Sequence, residues 1–433
     1  MKKPFFWAAG LLATLAGATG FTALQYNRQA LAEVNMLPVK ADLKLPAGFS
    51  ATIVADDLGA ARHLAVSKTG DVYVKLAKLK DGTGLLHLRD TDKNGSLDKQ
   101  TPIGDYPGTG IAIKNGFLYS ASNTGVYRYP LNAKEEVLKP GQPEEIVKGL
   151  VAKTRDVSKS ITLDNKGNLY VTVGSYSDAC REANSGKGIM PCTLLDSVAG
   201  IWQFKTSKAG QTYGDAVRYA TGLKNVVGLD WNTSTNTLFA MQHGRGQFHD
   251  MFPQYYTPQH TAELPAETMY EIKTPGADGG WPYVYYDHKT KKKMLAPEYG
   301  GDGKKTGGEK ALDPVAAFPA HLAPNALLFY TGTMFPERYR NGAFIAFHGK
   351  SPELQKGYLV AFVPFKNGKP SGNWEIFADN FAGVDLVQPT GPIQHRPCGL
   401  AQGPDGALYV SDDLKGTIFR IAYAPKKAVS ARK

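Results

Sequence analysis

The amino-acid sequence predicts an all-β chain: a six-bladed β-propeller of four-stranded antiparallel blades, with long inserted loops after blades 3 and 4. Three observations carry that prediction. One pattern recurs six times: an apolar strand, a tight turn, an aromatic-rich strand, then a third strand opened by glycine. The composition, with Gly 47 and Tyr 22 against Met 8, favours turns and strands over helices. No copy contains an internal helical period of apolar residues.

The first copy is "ARHLAVSKTGDVYV" followed by "GLLHLRD", and the second is "GIAIKNGFLYSAS" followed by "GVYRYPL". The third reads "SITLDNKGNLYVTVGS" then "GIWQF", and the fourth "VGLDWNTSTNTLFAMQHG" then "MYEIK". The fifth is "LLFYTGTMFPERYRNGAFIAFHG" then "GYLVAFVPF", and the sixth "GLAQGPDGALYVSDD" then "GTIFRIAY". Lys68-Thr69-Gly70, Asn115-Gly116 and Asp405-Gly406 are short hairpin turns, where glycine or asparagine takes the positive φ that the turn requires. Weaker outer strands follow in "EEIVKG", "AVRYATG" and "WEIFADN". The segment Gly48 to Leu58 precedes the first copy and is expected to close the ring as the outer strand of the last blade.

Central strands start near Val72, Leu118, Leu169, Leu238, Phe344 and Leu408. A bare blade needs about 40 to 45 residues, so the third, fourth and fifth intervals carry insertions. These are Tyr176 to Val198, Arg245 to Thr268 and Thr274 to Pro324, and long loops on a rigid scaffold commonly hold function.

With 42% apolar and 21% charged residues, the 433-residue chain fills a core and is not disordered. The net charge of +11 is partly local, in a loop around Lys289 and Lys291 to Lys293 and in the tail from Lys426 to Lys433. Such runs read as solvated loops, and no nucleic-acid signature accompanies them. Lys2 and Lys3 precede an uncharged stretch from Phe5 to Leu24, the pattern of an export signal or an N-terminal membrane anchor. The expected organisation is residues 1–35 as signal or anchor plus linker, 36–425 as propeller and 426–433 as basic tail. Export places the protein in the periplasm or outside the cell, and an uncleaved segment would hold it at the inner membrane through its N-terminus. Cys180 and Cys192 share one loop and are expected to form a disulfide, worth about 3 kcal/mol for so short a loop. Cys398 is expected to be a buried free thiol.

A nucleophile elbow, a phosphate-binding glycine loop, a haem-attachment motif and a nucleotide fingerprint are all missing from the sequence. Function therefore rests on polar residues at the strand entrances. Arg62, Lys159, Lys224 and Arg396 begin the inner strands of blades 1, 3, 4 and 6, and inner strands line a propeller's channel. Four converging cations suit a small polyanion, unless each pairs with a nearby aspartate or carbonyl. The stretch "DTDKNGSLD" (Asp90 to Asp98) matches the first half of a calcium loop, but Thr101 stands where the closing glutamate belongs, so calcium loop and plain turn both remain open. His249, His260, Glu263 and Glu267 match no metal-ligand spacing.

Seven segments in order, "ATGLKNVVGLDW", "FAMQHGRGQF", "GGWPYVYYD", "LAPEYGGDGKK", "FPAHLAPNALLFY", "GAFIAFHG" and "RPCGLAQGPDGALYVSDD", resemble the sorbosone and soluble glucose dehydrogenase family, exported six-bladed propellers that use pyrroloquinoline quinone (PQQ) and calcium. The resemblance spans about Leu45 to Tyr423. It implies that Lys224-Asn225 takes the place of the family's quinone-gripping Arg-Asn pair, that Arg396 matches a cofactor-binding arginine, and that Trp281 borders the site. It also implies that backbone carbonyls at Gly244-Arg245 hold calcium. The activity implied is hydride transfer from a sugar or aldehyde substrate to the quinone, with calcium polarising the accepting carbonyl and an external acceptor taking the electrons.

The family's catalytic histidine falls on Asp156, and no histidine occurs between His87 and His243. An aspartate is a weak base at neutral pH, so Asp156 is either a substitute base or a charge-pairing turn residue. His321 and His348 flank the fifth blade's strands and are candidate substrate-site residues. The second reading is a catalytically degenerate propeller that binds a sugar, a quinone or a protein without turnover.

Overall fold

The computed structural model describes residues 37–425; the expected signal or anchor segment and the basic tail lie outside the described residues. Six sheets of four or five strands form the blades, as predicted. In the first blade the strands run Ala61–Val66, Val72–Lys80, Thr83–Arg89 and Lys99–Gly104 from the channel outward. The six predicted central strands are the second strands of their blades.

The period of two along those strands explains how the blades pack. In the first blade Val72 and Val74 face the sixth blade while Tyr73 faces the second. In the third, Leu169 and Val171 face the second blade and Tyr170 the fourth. In the fourth, Leu238 and Ala240 face backward and Phe239 and Met241 forward. Each of these side chains is almost wholly buried. Both faces of every sheet therefore need apolar residues, which is why these strands read as near-continuous hydrophobic runs.

The ring closes as the sequence predicts. Phe49–Ala55 pairs antiparallel with Ile418–Tyr423, from Phe49 opposite Tyr423 to Ala55 opposite Ile418. The Phe49 ring packs against Phe335, Tyr339, Phe377 and Tyr423 with centroids 4.8 to 5.4 Å apart. A further two-residue strand, Val39–Lys40, pairs outside it and has no sequence signal.

The insertions lie within blades 3 and 4 rather than after them. Residues 174–199 link the second and third strands of blade 3, and 243–266 the same strands of blade 4. Residues 273–315 separate the third strand of blade 4 from its outer strand, Ala316–Phe318. That last insertion also adds Ala277–Asp278 as a parallel fifth strand to blade 3 and folds a hairpin, Val284–Asp287 with Lys292–Leu295. The expected disulfide Cys180–Cys192 is formed, and Cys398 is free and buried. The loop at Asp90 closes on itself: Asp90 accepts the amides of Asn94 and Gly95, Asp92 that of Asn94, and Asp98 that of Thr91. These bonds give it the geometry of a hairpin turn. Among the described residues no helix is long and apolar enough to cross a membrane.

Ring closure makes the Phe49 cluster a sensitive point. Phe49→Ala is expected to lower unfolding stability by about 3 kcal/mol, read as a lower denaturation midpoint in urea.

Candidate active site at the channel mouth

All six inner strands enter from the same end of the ring, and the loops after the second strands return to that end. Residues just before the inner strands therefore meet residues just after the second strands at one mouth. Two clusters of charge form there.

The first centres on Asp413, which follows the second strand of blade 6. Its Oδ2 accepts from Arg62 of blade 1 at 3.1 Å, and its Oδ1 accepts from Arg396 of its own blade at 2.9 and 3.0 Å. His348, in the second strand of blade 5, places Nε2 2.9 Å from the same Oδ1. Burial pushes the Asp413 carboxyl up, but the His348 hydrogen bond and the two guanidinium charges outweigh it and hold it well below the usual carboxylate range. Arg62 also reaches Ser158 of blade 3 at 3.3 Å, and its buried Nε has no partner among the described residues. Cys398 lies beside this cluster, its thiol pushed up to about 12 by burial. The ligand atoms of His348, Cys398 and Asp413 lie within 4.8 Å of one another, but the two arginines on the same carboxylate and the unionised thiol oppose a cation there.

The second cluster surrounds Lys224 at the entrance of blade 4. Its ammonium lies 3.2 Å from Asp178 and 3.5 Å from Asp156. Asn225 donates to Asp156 at 3.2 Å, and Arg155 bonds Asp178 at 2.7 Å. Asp156 has a φ of 49°, in the left-handed region that aspartate tolerates better than most residues. Gly174 allows the close approach, since a Cβ there would lie 2.5 Å from the Asp156 carbonyl oxygen and 2.8 Å from Asn225 Oδ1. Asp156 is thus engaged in charge pairing, one of the two parts the sequence left open. The four inner-strand cations divide in the same way. Arg62, Arg396 and Lys224 pair with carboxylates, whereas Lys159 is fully buried and among the described residues bonds only the Val157 carbonyl, at 2.6 Å. Burial pushes its ammonium down to about 7.

The remaining predicted residues separate. Trp281 is 5% exposed; its indole donates to the Asp178 carbonyl and its ring packs with the Cys180–Cys192 disulfide, so it walls the mouth beside Lys224. A small cavity behind it is lined by Lys224, Gly244, Thr268, Trp281 and Tyr285. Gly244 donates its amide to Glu267 at 2.8 Å, while the Arg245 side chain turns away to Glu298 at 2.7 Å. His321 bonds the Thr261 carbonyl at 2.7 Å, tying the fifth blade's entrance to the blade-4 insertion. His249 and His260 serve the turn and cap of that insertion, bonding Tyr256 and Thr257.

A family model described as TrAA12-like matches residues 43–424. The chain belongs to the TrAA12-like family. An uncharacterised protein of Borreliella burgdorferi is 24% identical over 403 residues, covering 89% of this chain and 92% of the relative. The propeller superposes on the family AA12 carbohydrate-active enzyme of Trichoderma reesei with a TM-score of 0.70 and 20% identity, over 90% of this chain and 98% of that one. Another structure of that enzyme is its calcium form. The holo PQQ domain of Coprinopsis cinerea pyranose dehydrogenase matches at a TM-score of 0.67 and 20% identity, over 88% and 97% of the two chains. The PQQ-bound aldose sugar dehydrogenase of Streptomyces coelicolor matches at 0.55 and 18%, over 88% and 100%. The resemblance read from the sequence is thus matched by propellers of the same architecture.

The residues of this TrAA12-like mouth fit both groups that the resemblance implies. Lys159, a buried cation with no carboxylate, and Arg62, with an orphaned Nε, suit a polycarboxylate such as a quinone cofactor. Glu267 beside Gly244 is 2% exposed, and burial pushes its carboxyl up to about 7 against the amides of Gly244 and Ala323. A hard divalent cation that takes oxygen donors would relieve that burial. Sequence reasoning missed Asp413 and Asp178, and it set Glu267 aside because its spacing matches no metal-ligand pattern. The "SDD" ending the last central strand was the one local trace of Asp413.

Lys159 supplies a pH test. Its folded pKa lies below that of the free side chain, so between about pH 7 and 10 the unfolded chain binds more protons and stability rises with pH. Lys159→Met is expected to flatten that rise, roughly 4 kcal/mol in size, in urea unfolding measured at stepped pH.

Proposed function

We propose that this TrAA12-like propeller is an exported sugar oxidoreductase that carries PQQ and calcium at the channel mouth and passes electrons to an external acceptor. The carrying observation is the mouth itself: Arg62, Lys224 and Arg396 of blades 1, 4 and 6 gather at one end of the ring, with Lys159 of blade 3 buried at its own strand entrance, on a scaffold of the same architecture as PQQ-bound propellers. The sorbosone-type or aldose substrate follows from the resemblance and from the printed names of the sugar dehydrogenase neighbours. The uncharged stretch behind Lys2-Lys3 and the disulfide support export, with a cleaved signal or a retained anchor.

Arg62, Lys159, Lys224, Asn225 and Arg396 would hold the carboxylates and carbonyls of the quinone, and the Gly244-Arg245 backbone with Glu267 would hold the calcium. Bound there, the quinone supplies a two-electron oxidant and the calcium a Lewis acid. The chain's own part is pre-organisation. Asp413 fixes Arg62 and Arg396 in position before a ligand arrives, so less ordering opposes binding. Lys224 in place of arginine keeps the charge but grips as a point rather than a fork. Trp281 on the disulfide closes one side of the mouth and gives a sugar an apolar face.

The second reading, a degenerate propeller that binds without turnover, is favoured by one observation: Asp156 is engaged by Lys224 and Asn225 where the family carries its histidine. Purified protein reconstituted with PQQ and calcium is expected to show a cofactor absorbance change and to reduce a dye with at least one aldose. Absence of the absorbance change would sink the cofactor claim. Binding without dye reduction, with activity gained on Asp156→His, would select the degenerate reading.

A further inference from the structure

We propose that His348, held by Asp413, is the proton acceptor of this site, standing on the fifth blade in place of the histidine that the third blade lacks. The inference rests on the sugar-oxidoreductase reading. Removing a hydride from a sugar carbon requires a base for the hydroxyl proton, and such a base must be neutral, oriented and open on one nitrogen. Asp156 has its oxygens engaged by Lys224 and Asn225.

Four histidines stand at or near the mouth. His63 and His243 each place Nε2 against an inner-strand carbonyl of blade 5, at Asn325 (2.7 Å) and Pro324 (3.1 Å). A carbonyl only accepts, so both carry their proton on Nε2. Burial pushes them down to about 4 and about 3, and neither has a carboxylate behind it, so they are feeble bases. His395 bonds Asp412, but Asp412 is fully buried and also accepts the amides of Arg396, Leu414 and Lys415, which makes that pair the organiser of the loop.

His348 differs from all three. Asp413 is ionised and acceptor-only, so Nε2 of His348 carries the proton and Nδ1 keeps its lone pair. Nδ1 has no hydrogen-bond partner among the described residues, and the side chain is 17% exposed. A base whose far nitrogen is anchored by a carboxylate is the arrangement that orients an imidazole for proton transfer. The charged and titratable groups around it are Asp413 and Arg396 of blade 6, Arg62 of blade 1, His243 of blade 4 and the Cys398 thiol. Burial lowers the imidazole more than Asp413 raises it, and the two arginines add to the lowering. The ring is therefore neutral at pH 7, and its protonated form readily passes the proton to water.

The sugar O–H bond breaks with its proton going to His348 Nδ1, and the carbon's hydrogen leaves as hydride to an ortho-quinone oxidant. The products are a carbonyl compound, a two-electron-reduced quinone and an imidazolium, and water then takes the imidazolium proton. Asp413 is a positioning residue in this step.

The test uses the full chain in two arms. In protein carrying nitrogen-15 histidine, NMR at neutral pH is expected to show His348 as the Nε2–H tautomer with a bare Nδ1. An imidazolium or an Nδ1–H tautomer overturns the proposal whether or not the protein turns over sugar. In protein loaded with PQQ and calcium, His348→Ala is expected to lose about 100-fold or more in kcat, to retain PQQ binding by absorbance titration, and to recover partly with added imidazole. His348→Asn serves if the alanine variant does not fold. Asp413→Asn is expected to lower kcat and move the acid limb of the pH profile. Full activity in loaded His348→Ala overturns the assignment. A loaded wild type that reduces no dye overturns the oxidoreductase reading and with it the catalytic part, while the tautomer still decides whether the dyad exists.

Discussion

Closure of the ring is the constraint on which the remaining structure depends. A blade is a small sheet that needs apolar cover on both faces, and only a closed ring gives every blade two neighbours. The strand Phe49–Ala55 supplies that closure from the N-terminal side by completing the last blade. Apolar clusters then fill the space between each adjacent pair of blades, including the first and the last. Arg62 follows shortly after this strand in sequence, and Asp413 lies just before the C-terminal strand. Their ion pair joins positions 351 residues apart, and only closure brings them together.

The mouth is more balanced in charge than a count of cations suggests. Arg62 and Arg396 share one carboxylate, Lys224 sits between two, and Lys159 has none. Pairing of this kind lowers the desolvation penalty of each buried charge and fixes its direction. It leaves the opening asymmetric, with a histidine–carboxylate pair on the side of blades 5 and 6 and a lysine between two aspartates on the side of blades 3 and 4. A ligand entering such a mouth meets a proton-accepting side and a charge-gripping side.

The insertions give the second side its wall. The disulfide loop of blade 3 and the long insertion of blade 4 meet at Trp281, whose indole bonds the Asp178 carbonyl. Arg181 of the disulfide loop and Arg245 of the 243–266 insertion converge on Glu298 of the long insertion, whose side chain is completely buried. Breaking that pairing would leave an uncompensated buried charge, so the wall is held rigidly where Lys224 stands.

Local chemistry made much of the fold legible. Alternation along "DVYV", "NLYVTV" and "TLFAMQ", the glycine turns at Gly70, Gly116 and Gly406, and the closing strand all depend on residues a few positions apart, and the structure follows them. The short strands Val39–Lys40, Ala277–Asp278 and Ala316–Phe318 were not legible, because each exists only through a distant partner. Among the site residues, the positions of Arg62, Lys159, Lys224 and Arg396 at the inner-strand starts followed from the repeat. Their partners did not, and neither did the bond of His321 to the blade-4 insertion or the anchoring of His348 by Asp413. The sequence by itself determined a six-bladed ring with cations at its strand entrances, because strand period and turn chemistry are short-range. Only the tertiary structure decided which carboxylate meets which cation and which histidine keeps a free nitrogen, because those contacts join different strands, from 17 to 351 residues apart.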